Sequence, residues 1–337
     1  MKTATLALGS RVVGEGHPCL VVAHVGTAHE GEADTALRLI DAAFQAGADA
    51  IAFPVFRATD LFARRHPERK ELEAAELTAR EWKKVLGAAK ASGLAVVVEA
   101  FDAASRDLAA EAAVDAFQAH PTDLDHPGLL RALASSGRPL LVGASGGDEP
   151  LVREALDTAG GPAALLVGPT GAPAAAEELR LAEIAALRER YGVPVGLLDP
   201  TDGGSAFALL VPALAASHGA AFVEKRLTLD RSRKGRDWAA ALSPEDFYRM
   251  VELLRQAERA RGDGEPRAQG SAARGRSIVA AALVGRGEVL TAERLLFKRT
   301  DERFERGLSP AEAYRVIGRR AARPIQADET IREDMLE

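Results

Sequence analysis

The chain has 337 residues, 47% of them hydrophobic and 27% charged, and a net charge of −6. Charges of both signs are interspersed and aromatics make up only 5%, so the basic footprint of a nucleic-acid or anionic-membrane binder and its base-stacking platforms are both missing. The single cysteine, Cys19, excludes an intrachain disulfide and a cysteine-rich metal cluster.

No run approaches the ~20 apolar residues of a membrane span, and the N-terminus lacks a charged start followed by an apolar segment. A cytoplasmic protein acting on small molecules or other proteins is expected. The length accommodates one large domain with a small appendage.

In chain order, one pattern recurs. A helical Ala/Leu-rich segment ends near a glycine, and a short apolar run follows. The pattern appears at Gly47 before Ile51–Val55, Gly93 before Leu94–Val98, and Gly137 before Pro139–Val142. It returns at Gly192 before Val193–Leu197 and at Gly219 before Ala220–Val223. Glycine supplies the left-handed helix terminus, and the apolar run reads as a strand buried on both faces. Leu20–Val25, Val114–Ala119 and Ala163–Val167 bring the strands to eight. Amphipathic segments at 33–46, 78–91, 103–112, 126–136, 149–158, 177–190, 205–217 and 244–259 separate and follow them. Eight β–α units over residues 1–260 predict an α/β fold, a TIM (β/α)8 barrel. The competing doubly wound sheet lacks its glycine-rich dinucleotide turn.

A polar, small-residue run over 261–275, containing Gly262-Asp263-Gly264-Glu265-Pro266, reads as a linker. Beyond it, Ser277–Leu283, Glu288–Thr291 and Leu295–Lys298 are β-prone, and Ala311–Gly318 reads as a short helix. Pro324–Ile331 echoes the turn at Gly287-Glu288-Val289-Leu290-Thr291. Residues 276–337 thus form a small β-rich domain, too short to be very stable unless it docks on something.

The segments Val22-Ala23-His24-Val25-Gly26 with His29 and Gly31, Ala48-Asp49-Ala50-Ile51-Ala52-Phe53 and Phe101-Asp102 occur in that order. They are followed by Gly196-Leu197-Leu198-Asp199-Pro200-Thr201, Glu224-Lys225-Arg226-Leu227-Thr228-Leu229-Asp230, Leu242-Ser243-Pro244-Glu245-Asp246-Phe247 and Lys298-Arg299. In order and spacing this resembles the sialic acid synthase family, a barrel with a C-terminal antifreeze-like (SAF) domain, over nearly the whole chain. The resemblance implies condensation of phosphoenolpyruvate with an N-acyl amino sugar to a nine-carbon 2-keto acid, with Mn or Mg activating the sugar aldehyde. It also implies a domain-swapped homodimer and a sugar-like ligand contacted by His29, Asp199, Asp237 and Arg299, with Glu224 as a catalytic carboxylate.

Several positions depart from the family. Its two metal-binding histidines correspond to Pro200, which has no donor atom, and Arg226, which cannot lose its proton to bind a cation. Its phosphate-binding lysines correspond to Ala52 and Gln118, and each lost cation removes a charge-assisted contact. No cofactor is therefore expected unless the family activity is retained. The expected function is a non-catalytic or repurposed sugar-binding homologue in surface-carbohydrate biosynthesis. The alternatives are an active synthase, or a structural partner of an intact synthase.

Three ionisable residues that the family does not predict lie at the mouth: His24, Glu99 and His120. They form either a new metal or acid–base site, or a hydrogen-bonded filling of the space that the lysines left. Thr201-Asp202-Gly203-Gly204-Ser205 either holds an anion at a helix start or only caps that helix. Arg64-Arg65, Arg231–Arg236 and the histidines at 66, 126 and 218 read as loop charges and caps.

Overall fold

A computed structural model describes residues 5–262, 275–300 and 307–337, divided into units Met1–Asp263 and Gly264–Glu337. The first unit opens with a hairpin, β1 (Leu6–Leu8) and β2 (Arg11–Val13), turned at Gly9 with φ +63°. Its apolar side chains Leu6, Leu8 and Val13 join the apolar cluster that fills the barrel interior. The sequence gives little warning of this plug, because strands of three residues carry no readable period.

The barrel strands are β3 (Leu20–His24), β4 (Ala50–Val55), β5 (Ala95–Ala100) and β6 (Ala116–Ala119), then β7 (Leu140–Gly143), β8 (Ala163–Val167), β9 (Val195–Asp199) and β10 (Phe222–Arg226). All pair in parallel and β10 closes on β3. The helices are α1 (Ala33–Gln45), α2 (Ala58–Leu61), α3 (Arg69–Ala74), α4 (Ala79–Ala91) and α5 (Ala103–Glu111). They continue as α6 (Pro127–Ala134), α7 (Glu149–Ala159), α8 (Ala182–Tyr191), α9 (Val211–Ser217) and α10 (Pro244–Arg261). The predicted (β/α)8 barrel is what forms.

Some boundaries differ from expectation. The segment at 205–217 is a 3-10 turn, Ala206–Leu209, followed by α9, because Pro212 in the first turn of α9 cannot continue a helix from upstream. Likewise 177–190 divides into the turn Ala176–Leu179 and α8, with Arg180 between them at φ +45°. The last strand runs three residues beyond the apolar Ala220–Val223, through Glu224, Lys225 and Arg226. Charge hid this extension, and burial with partners explains it.

Strand alternation builds two cores. Outward side chains such as Val21, Ile51, Val96, Phe117, Leu165 and Val223 pack beneath the helices. Inward ones, including Val22, Ala52, Val97, Ala116, Leu166 and Phe222, fill the barrel. Gly196 faces Phe222 here, and a Cβ would lie 2.4 Å from its ring. Two aspartates anchor the N-terminal ends of strands. Asp49 accepts the Val21 N–H at 2.9 Å and pairs with Arg255 at 2.5 Å, and Asp115 accepts the Val96 N–H at 2.8 Å and pairs with Lys90 at 2.6 Å. Cys19 is buried, and burial pushes its thiol well above the ordinary range.

In the second unit β11 (Arg276–Ala280) pairs antiparallel with β12 (Leu295–Arg299), and Ile278, Val284, Leu290, Ile325, Ile331 and Met335 form its core. The echoed segments are each followed by a 3-10 turn, at Ala292–Arg294 and Glu333–Met335. Glu288–Thr291 contributes a single bridge, Val289 to Arg320, rather than a strand. The expected helix over Ala311–Gly318 is a 3-10 helix, Pro310–Arg315, begun by a Ser309–Glu312 capping box and followed by Gly318 at φ +88°. Most of the 261–275 segment lies outside the described residues.

Candidate functional site in the barrel mouth

The C-terminal ends of barrel strands carry the chemistry of this architecture. Two residues beyond the inward Val22, Val97, Ala116 and Phe222 stand His24, Glu99, Gln118 and Glu224, so the alternation turns all four inward. They are 6%, 5%, 2% and 1% exposed. His24 Nε2 lies 3.8 Å from both Glu99 Oε2 and Glu224 Oε1. The Gln118 amide donates toward Glu99 Oε1 at 3.5 Å and Glu224 Oε1 at 3.4 Å. All four contacts are long for hydrogen bonds. His24 Nδ1, Gln118 Oε1 and Glu224 Oε2 are buried with no protein partner.

The two carboxyls are driven in opposite directions. Burial raises the Glu224 pKa, His24 opposes that rise, and the net shift is upward. Burial acts on Glu99 as well, but the imidazole of His24 and the charges of His120, His24 and Arg226 outweigh it, and its pKa falls. A pair held this way can keep one proton between two acids.

His120 stands two residues beyond Gln118 but engages its own turn. Its Nδ1 is 2.7 Å from Thr122 Oγ1 and accepts the Thr122 N–H at 3.2 Å, while the ring tilts against Phe101 at 5.7 Å. Of the three unexpected residues, His24 and Glu99 are therefore brought together with Glu224, and His120 acts on Glu99 through charge. Among the described residues no group of three or more His, Cys, Asp and Glu side chains is arranged to hold a metal ion. The Gln118 NH2 group points toward one oxygen of each carboxylate, a donor where a metal ion would need another acceptor.

Arg226 is the cross-strand neighbour of His24. Its Nη1 donates to Asp237 Oδ2 at 2.5 Å. Gly26, at φ +54°, lets the loop pass close to this pair, since a Cβ there would lie 2.9 Å from Arg226 Nη1. Asp237 itself is at φ +60° and starts the turn Trp238–Ala240. The residues at the family's metal positions, Pro200 and Arg226, do not fit a metal ion, because one has no donor atom and the other is a cation already neutralised by a carboxylate.

Asp199 faces outward. Its Oδ1 accepts from the Thr201 hydroxyl at 2.6 Å and the Thr201 N–H at 3.0 Å, and its Oδ2 lies 3.2 Å from Lys225 Nζ. Lys225, wholly buried, also donates to Thr201 O at 2.9 Å and Thr201 Oγ1 at 3.0 Å. Burial lowers the lysine pKa, and Asp199 opposes that shift. Side chains of the Thr201–Ser205 loop cap nearby backbone donors. Asp202 accepts the Gly204 N–H at 2.9 Å and Ser205 the Phe207 N–H at 3.2 Å.

His29 is fully buried, with its ring edge-on to Trp82 at 5.6 Å. Its Nδ1 accepts the Gly31 N–H at 3.2 Å, which assigns the proton to Nε2. Burial lowers its pKa to about 4. The sign follows from linkage. The unfolded chain takes up a proton below pH ~6.5 that the folded chain refuses until pH ~4, so stability falls as pH drops through that window. Urea unfolding at pH 7 and pH 4.5 is expected to show about 2–3 kcal/mol of acid destabilisation in the wild type that His29→Leu lacks. Equal pH sensitivity of the two proteins would disprove the assignment.

Arg299 ends β12 in the second unit, where it is exposed and in register with Arg276. Gln118 and Lys225 belong to no sequence motif that marks them as site residues. The signal for Gln118 was present, a polar side chain at an inward position of a buried strand.

Acids, an amide and an imidazole thus converge at the C-terminal mouth of a closed parallel barrel, the face on which this architecture carries its sites. Residues 39–266 match the NeuB family and residues 275–337 the SAF domain. The chain belongs to the NeuB family. It is 28% identical to an uncharacterized protein of Methanocaldococcus jannaschii, with 98% of each chain covered. It is 26% identical to the N,N'-diacetyllegionaminic acid synthase of Legionella pneumophila, with 96% of each covered. The crystal structure of the N-acetylneuraminic acid synthetase of Leptospira borgpetersenii superposes with a TM-score of 0.74 at 24% identity, covering 80% of this chain and 94% of that one. No helix among the described residues is long and apolar enough to cross a membrane.

Proposed function

We infer that this NeuB-family protein serves surface-carbohydrate biosynthesis by binding a sugar-like ligand in the barrel mouth, without the metal-dependent phosphoenolpyruvate condensation of its relatives. The observation that carries the reading is the Arg226–Asp237 ion pair at 2.5 Å, which stands where the family resemblance calls for a metal-bound imidazole. Ala52 and Gln118 support it, since the mouth lacks the lysines that would offset the charge of phosphoenolpyruvate. The carboxylates Glu99 and Glu224 instead repel that anion.

A docked cap accords with the resemblance to domain-swapped homodimers. Leu283, Leu296, Phe297, Tyr314 and Ile317 of the second unit are all exposed, Tyr314 at 77%, and docking would give these side chains apolar surface to cover.

Incubation of the full chain with phosphoenolpyruvate, Mn2+ and an N-acetylated hexosamine, followed by phosphate assay, tests the reading. No release above background is expected. Turnover on the order of 1 s⁻¹, an ordinary enzymatic rate, would overturn it in favour of a working synthase.

A further inference from the structure

We propose that the ligand of the barrel mouth carries a free primary ammonium group, received by Glu224, Gln118 and Glu99. The proposal rests on the reading of the mouth as a sugar-binding site and names the chemical group that the site selects. Its basis is the set of atoms left without partners. Gln118 Oε1 is an acceptor only, Glu224 Oε2 is one whenever that carboxyl is ionised, and the two residues are 2% and 1% exposed. Buried acceptors without donors are costly, and the cost vanishes when a ligand brings the donors. An ammonium brings three, together with a full positive charge to set against the two facing carboxyls.

The rest of the mouth supports the same polarity. Arg226, the cross-strand neighbour of His24, is already paired with Asp237, so that pair offers no free positive charge to an incoming anion. The contacts among His24, Glu99, Gln118 and Glu224 are 3.4–3.8 Å, too long to be strong hydrogen bonds, so little is lost when the four side chains move apart to admit a ligand. Acceptors alone would also serve a hydroxyl. A neutral hydroxyl, however, leaves the carboxylate charge uncompensated in a site of low dielectric, and an N-acyl group presents a single weak donor beside a carbonyl that the carboxylates repel.

Isothermal titration of the full chain with glucosamine, N-acetylglucosamine, glucose and phosphoenolpyruvate separates the cases. Glucosamine is expected to bind at least tenfold more tightly than the other three, and Glu224→Gln to weaken it at least tenfold. Glu99→Gln provides the same test should Glu224→Gln fail to fold, with melting curves establishing that the variant used is intact. Preference for N-acetylglucosamine or glucose would overturn the ammonium assignment and leave the sugar-binding reading standing. Binding of phosphoenolpyruvate alone, or of none of the four, would overturn both. An unchanged affinity in both glutamine variants would place the ligand elsewhere and overturn the proposal.

Discussion

Lys225→Met is expected to destabilise the barrel unit by about 3–5 kcal/mol, because it strands a charge that has no access to water. Lys225 and Asp199 are register partners on β10 and β9, both side chains are 0% exposed, and Nζ lies 3.2 Å from Oδ2. Thr201 completes the arrangement by donating twice to Asp199 and accepting twice from Lys225. Without the ammonium, Asp199 keeps two donors but loses its countercharge, and Thr201 loses both of its lysine contacts. For a unit of this size the loss corresponds to a fall in Tm on the order of 10 °C. Adding Asp199→Asn to Lys225→Met removes the stranded charge, and the double variant should recover a substantial part of the loss. Denaturant titrations of the three proteins read both effects. Additive losses in the double variant would show that the pair is not coupled.

That ion pair also marks where sequence reading stopped. The apolar runs of the eight strands and the glycines that precede five of them were legible, because a parallel barrel buries both faces of each strand and leaves little ambiguity of period. Asp199 and Lys225 sit on the outward face of two such strands, and nothing in their spacing says whether they face the mouth or the helices. Parity decides it, and parity depends on where each strand starts. The sequence suggested that β10 ends at Val223, whereas it continues through Arg226. The same uncertainty separates His24 and Glu99, which converge on Glu224, from His120, which turns back to cap Pro121–Asp123. Residue type identified the candidates. The local fold after each strand sorted them, through a proline and a threonine in the case of His120. The β1–β2 hairpin and the short helices α2 and α3 went unread because elements of three to six residues carry too little pattern.

Pro200→His with Arg226→His is expected to create metal binding that the wild type lacks. The two positions immediately follow the register pair Asp199–Lys225 on adjacent strands, so the new imidazoles would stand side by side at the mouth. Removing the guanidinium also releases Asp237, whose carboxylate it holds at 2.5 Å, and supplies a third donor. Two imidazoles and a carboxylate with an open position suit Zn2+ or Mn2+. After incubation with either ion and exhaustive dialysis, about one equivalent is expected in the double variant and none in the wild type. The gain in affinity should exceed the roughly 10–100-fold that outer contacts of a metal site contribute. Arg226→His alone should bind far more weakly, since Pro200 contributes no donor. If the double variant retains no metal, substitution at these two positions is not what separates this mouth from its relatives, and the difference must lie with Gln118, whose amide NH2 occupies the space between Glu99 and Glu224.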